Sequence, residues 1–150
     1  MKKIAKESAI KKMIMPFVNQ PAIQKEYAYP FVYATQLYGN NITETESGNL
    51  TFTFYNVRGF GNDGYCEMYG YVNPTTLKYK VFQHENICDG KTPLVEVVGR
   101  DDFEKAKLSA MVGVTLWNAF YGDYKSLYPV CSKEFQQEVF GEVEKDIVDL

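Results

Sequence analysis

The chain has 150 residues, a hydrophobic fraction of 45% and a formal charge of -3 from 16 basic and 19 acidic side chains. That length fits one domain with a full-sized core, and the apolar content excludes a disordered chain. Arginine occurs only at Arg58 and Arg100, so the basic field and guanidinium forks of a nucleic-acid binder are missing, and no nucleic-acid partner is expected.

Cys66, Cys88 and Cys131 are odd in number and widely spaced. Such a set argues against a disulfide framework and for a reducing compartment. The start, MKKIAKESAIKKMIMPF, lacks the apolar run and small-residue cleavage site of a secretory signal. No stretch has the length of a membrane span. A cytoplasmic protein without membrane partners is the expectation.

Residues 3–15 predict a first helix, with Ala9, Ile10, Met13, Ile14 and Phe17 on one side and lysines around it. Pro16 is expected to end it, because the residue before a proline is pushed out of helical backbone. Pro21 can open a short helix carrying Ala22, Ile23, Tyr27 and Ala28. Residues 31–38 read as a strand, and the polar stretch 39–49 as a surface loop.

Residues 50–82 dominate the pattern. LTFTFYNV, YCEMYGYV and LKYKVFQ alternate strictly, separated by RGFGNDG and NPTT, and they predict a three-stranded antiparallel meander. Taking 58–64 and 73–76 as its connections sets Phe54 opposite Met68, Phe52 opposite Gly70 and Leu50 opposite Val72. The same assumption sets Val57 opposite Tyr65, Val72 opposite Leu77, and Gly70 opposite Tyr79. Leu50, Phe52, Phe54, Met68, Val72, Leu77, Tyr79 and Val81 then share one apolar face, with room at Gly70 for a ring.

The other face carries Thr51, Thr53, Tyr55, Tyr65, Glu67, Tyr69, Tyr71, Lys78, Lys80 and Phe82. In this register Tyr71 lies beside Lys78 and Tyr69 beside Lys80, where lysine stems can run along tyrosine rings. An ordinary solvated sheet face would also use Thr and Tyr, which favour strands. A contact surface would use the same tyrosines as rigid rings with polar tips.

Beyond the meander, residues 84–92 read as a loop and Leu94 to Val98 as a short strand whose leading Pro93 suits an edge. Asp101 or Asp102 can cap the next helix, 101–122. That helix is apolar nearly all round, which predicts burial on more than one side, and Ser109, Ala110 and Gly113 would let a neighbour approach closely. Ser132 caps a last helix with Phe135, Val139, Val143 and Ile147 on its apolar side. The predicted architecture is a single α+β domain over residues 1–150. It has one mainly antiparallel sheet of four or five strands, with three or four helices on its apolar face.

The chemistry-bearing side chains do not assemble into a motif. His84 is the one histidine, and a Cys66–His84 pair would need contact that spacing does not provide. Cys66, His84, Cys88 and Cys131 lack the local spacing of a zinc site. The 58–64 loop joins two strands, whereas a phosphate cradle opens a helix; its Phe60 is a candidate contact residue. No catalytic set, metal or cofactor is expected. These absences predict a non-catalytic protein-binding module, as adaptor, inhibitor or oligomer subunit. It would bind a protein partner, or itself, through Tyr55, Glu67, Tyr69, Tyr71, Lys78, Lys80 and Phe60. The alternative is a small enzyme or ligand-binding protein with a Tyr-lined pocket between sheet and helices near His84.

Overall fold

The structure is a computed structural model that describes residues 5–18, 42–57, 66–86 and 90–121. Its elements run α1 (Glu7–Val18), β1 (Thr43–Glu44), β2 (Leu50–Val57), β3 (Cys66–Val72), β4 (Tyr79–His84), β5 (Leu94–Glu96) and α2 (Asp102–Phe120). The five strands form one antiparallel sheet in the order β1-β2-β3-β4-β5. Among the described residues two helices pack with it, which corrects the expected three or four. The short helix after Pro21, the strand at 31–38, the loop at 58–64 and the helix after Ser132 lie outside the described residues.

The apolar face forms as its alternation dictates. Leu50, Phe52, Phe54, Met68, Val72 and Val81 are buried with Ile10, Ile14 and Phe17 of α1 and the apolar residues of α2 in one core. Phe52 pairs with Gly70, Phe54 with Met68 and Leu50 with Val72, as the pattern requires. The end of that pairing differs. A register irregularity between Phe54 and Val57 sets Val57 opposite Cys66 instead of Tyr65, the signature of an extra residue in one strand.

The β3–β4 turn differs too. Val72 pairs with Tyr79 and Gly70 with Val81, two residues beyond the expected register. The Asn73 amide donates to the Lys78 carbonyl at 2.9 Å and the Leu77 amide to the Asn73 carbonyl at 2.8 Å. Asn73 Oδ1 also accepts from the amides of Thr75 and Thr76. Leu77 sits in left-handed backbone at φ 65, a conformation L-residues adopt at some cost, and it packs against the core. Six residues, 73–78, connect the strands in place of the expected four. A shift of two keeps every side chain on its face and changes only its neighbours.

The polar stretch 39–49 reads as loop throughout, yet Thr43 and Glu44 pair with Thr51 and Leu50. Gly48 supplies the positive φ that closes this hairpin, its amide donating to the Thr45 carbonyl at 2.9 Å. At the other edge β5 follows Pro93 and pairs with β4.

Pro16 does not end α1, which continues to Val18 with the proline inside it. Pro16 is exposed, as is Lys12, whose carbonyl it leaves without an amide, and the added residues bury Phe17 completely. Burial of that ring offsets the missing bond. In α2, Asp101 Oδ1 accepts from the Glu104 amide at 2.8 Å as the N-cap. The Glu104 carboxylate turns back to the Arg100 amide and guanidinium. Residues 110–117 are buried without interruption, so α2 is covered on more than one side, as its composition predicts.

The two helices meet at the small residues. Ser109 Oγ donates to the Met13 carbonyl at 3.1 Å, and a Cβ on Gly113 would lie 2.8 Å from Ile14 Cγ1. Lys11 Nζ stands 5.3 Å from the Trp117 ring centre, and Tyr121 Oη donates to the Ala5 carbonyl at 3.0 Å. Among the described residues, no helix is long and apolar enough to cross a membrane.

Ser109 also bonds Tyr79 on the sheet. Burial pushes the Tyr79 phenol up from 10.0, more than the Ser109 hydrogen bond lowers it. The folded state therefore holds this proton more tightly than the unfolded chain. Its contribution is complete below about pH 10 and is lost as pH rises through the higher folded value. Denaturant melts across this range should show a steeper alkaline loss for the wild type than for Tyr79→Phe. Identical slopes would refute the assignment.

Candidate functional site

The outer face of the sheet is built by the residues that alternation turns away from the core. The observed register sets Tyr71 beside Lys80 and Tyr69 beside Phe82. This corrects the expected Tyr71–Lys78 and Tyr69–Lys80 neighbours. Lys78 is moved to the turn end of the face, opposite Asn73, and it is exposed.

With Phe82 drawn to the centre, the aromatic side chains become contiguous. The Tyr71 and Phe82 ring centres are 6.3 Å apart, tilted by 30°. Tyr69 meets the His84 ring edge-on at 5.8 Å. Both are within the range in which aromatic pairs attract beyond their area. Thr51 and Thr53 on β2 pair with Tyr71 and Tyr69 and complete the row.

Between these side chains runs a shallow groove of about 300 Å³, walled by Thr51, Thr53, Tyr69, Tyr71 and Phe82. Gly70 gives it a backbone floor. A Cβ there would lie 2.7 Å from Phe52 Cζ and 2.7 Å from the Lys80 carbonyl oxygen, so glycine is needed for the Phe52 ring to fill the apolar side. The groove walls are half-buried aromatic and threonine side chains. Charge stands at the ends of the face.

Glu67 is exposed and its Oε2 accepts from Tyr69 Oη at 2.7 Å. A second acid stands apart from it, because Glu96 on β5 pairs with Phe82 in the neighbouring row. Lys80 is exposed at the opposite end from Glu67. His84 is the last residue of β4 rather than a loop residue. Its Nδ1 lies 2.6 Å from the Thr92 carbonyl oxygen. A carbonyl only accepts, so Nδ1 carries the proton in this contact.

Sequence reasoning places Phe82 on this face without counting it among the contact residues, and it misses His84 and Glu96. His84 shares the parity of Lys80 and Phe82, a signal that becomes readable once β4 is carried through residue 84. Glu96 depends on the β4–β5 register, which no turn chemistry fixes. Of the other expected contact residues, Phe60 and the Tyr55 side chain lie outside the described residues. So do the side chains of the three cysteines. Among the described residues, no three potential metal ligands come together.

The arrangement offers rigid aromatic area with charged ends. It brings no nucleophile and base together among the described side chains. Compared with protein-family models, curated proteins and solved structures, the chain matches none.

Proposed function

We propose that the chain is a non-catalytic protein-binding module whose contact surface is the outer face of the sheet. The supporting observation is the groove over Gly70, walled by Tyr69, Tyr71 and Phe82 on paired strands. Tyrosine rings held by a sheet lose little freedom on docking, and their hydroxyls can bond a partner while the rings exclude water. Lys80 and Glu67, exposed at the ends of the groove, act at the rim, where charge steers encounter more than it holds the complex. The buried space between sheet and helices is core, which favours this surface over a pocket on that side.

The test is affinity capture with wild-type chain and with a Tyr69→Ser/Tyr71→Ser variant, followed by calorimetry with the recovered protein. Each central anchor is expected to contribute about 2 kcal/mol, or roughly 30-fold in Kd. The variant should keep a cooperative unfolding transition, because both tyrosines are only half-buried. Equal affinities for wild type and variant would remove this face from the function.

A further inference from the structure

We infer that the partner this face fits is a second copy of the chain, docked about a two-fold axis across the groove. The inference rests on the reading of the face as a docking surface and adds the identity of the occupant. It is carried by the charge pattern. Tyr71 and Lys80 form one row across β3 and β4, and Tyr69 and Phe82 form the next. Alternation then places Glu67 and His84 in the third.

Across β3 and β4 the face is thus cationic at one end, aromatic in the middle and anionic at the other. A partner of uniform charge would be repelled at one end. A second copy is complementary at both, because an axis in the plane of the face, perpendicular to the strands, inverts the order of the rows. The Tyr69–Phe82 row then meets itself. Each Lys80 comes over the Glu67–His84 row of the other copy, one strand away from Glu67 and within the span of its own stem. Two equivalent Lys80–Glu67 pairs flank an aromatic centre, which is the self-complementarity of an isologous interface.

Two further features fit. The axis leaves the strands of the two copies aligned, the arrangement in which sheets pack face to face and interdigitate. Tyr69 Oη holds one carboxylate oxygen of Glu67, which orients the group and leaves lone pairs for an ammonium. Glu96 lies in the central row on β5, so the axis sets it opposite its own counterpart, at the rim where both carboxylates are exposed to solvent and screened.

Sedimentation equilibrium of the full chain tests this with Lys80→Glu, Glu67→Lys and their mixture. Lys80 and Glu67 are exposed, so each variant should fold, and circular dichroism verifies it. The wild type should form a reversible dimer. Each single reversal places like charges together at both pairs and should weaken dimerisation by at least about tenfold. Mixing the two weakened variants should restore it as a heterodimer, since one copy then supplies both acids and the other both lysines. A wild type monomeric at all concentrations, a dimer indifferent to either reversal, or a mixture no tighter than its components would each overturn the second copy as occupant. The docking face itself is judged separately. If Tyr69→Ser/Tyr71→Ser still loses a captured heterologous protein, that reading stands although this one has fallen.

Discussion

Phe52→Ala will lower the unfolding free energy by about 3 to 5 kcal/mol, the range for removing a buried aromatic ring from a packed core. Phe52 is 2% exposed, its ring centre is 4.8 Å from that of Phe54, and its edge fills the space beside Gly70. The cavity is hard to close. On one side stands sheet backbone, which cannot move without breaking the β2–β3 ladder. The loss would be a large share of the stability of a typical domain, so the variant should melt at markedly lower denaturant with little change in m-value. A cost below about 1 kcal/mol would mean that the ring does not face the core.

The Phe52–Gly70 fit is legible in the amino-acid pattern alone, and the reason is physical. Two strands that alternate strictly can pair in few registers without sending an apolar set to water, and a missing side chain opposite a ring narrows them further. Alternation has period two, however, and is blind to a shift of two. The turn alone separates Val72–Leu77 from Val72–Tyr79, and that turn depends on Leu77 taking left-handed backbone, which is uncommon for a branched apolar residue. The apolar face survives the shift, and on the outer face only the neighbours change. Lys78 leaves the aromatic row for its end, while Phe82 enters and gives the groove its third aromatic wall.

Pro16 shows a different limit. Local preference argues for a helix end there, and the burial of Phe17 one residue later overrides it. The hairpin at Thr43 and Glu44 is obscured because its strand is two residues long and polar. In contrast, the burial of α2 and its close approach to a neighbour are readable, because both follow from side-chain size and apolarity without reference to register.

That approach gives the second large effect. Gly113→Leu should destabilise the fold by more than about 3 kcal/mol, at or beyond the upper end of overpacking costs. A Cβ at this position would already lie 2.8 Å from Ile14 Cγ1 and 3.0 Å from Met13 Cβ, and a longer side chain has nowhere to go. Ile14 is fully buried, and Met13 Cβ is fixed to the α1 backbone, so the helices must separate. Separation also strains the bonds that span them, Ser109 Oγ to the Met13 carbonyl and Tyr121 Oη to the Ala5 carbonyl. Gly113→Ala divides the terms. It gains up to about 1 kcal/mol of helix propensity against about 1 to 3 kcal/mol of overpacking, so it should be destabilising, though much less than leucine. Urea melts give the magnitudes, and amide exchange gives the location. In the leucine variant, protection should fall first in α1, while β2 and β3 keep theirs. A Gly113→Leu protein as stable as the wild type would mean that the helices stand further apart than the Ser109–Met13 bond allows.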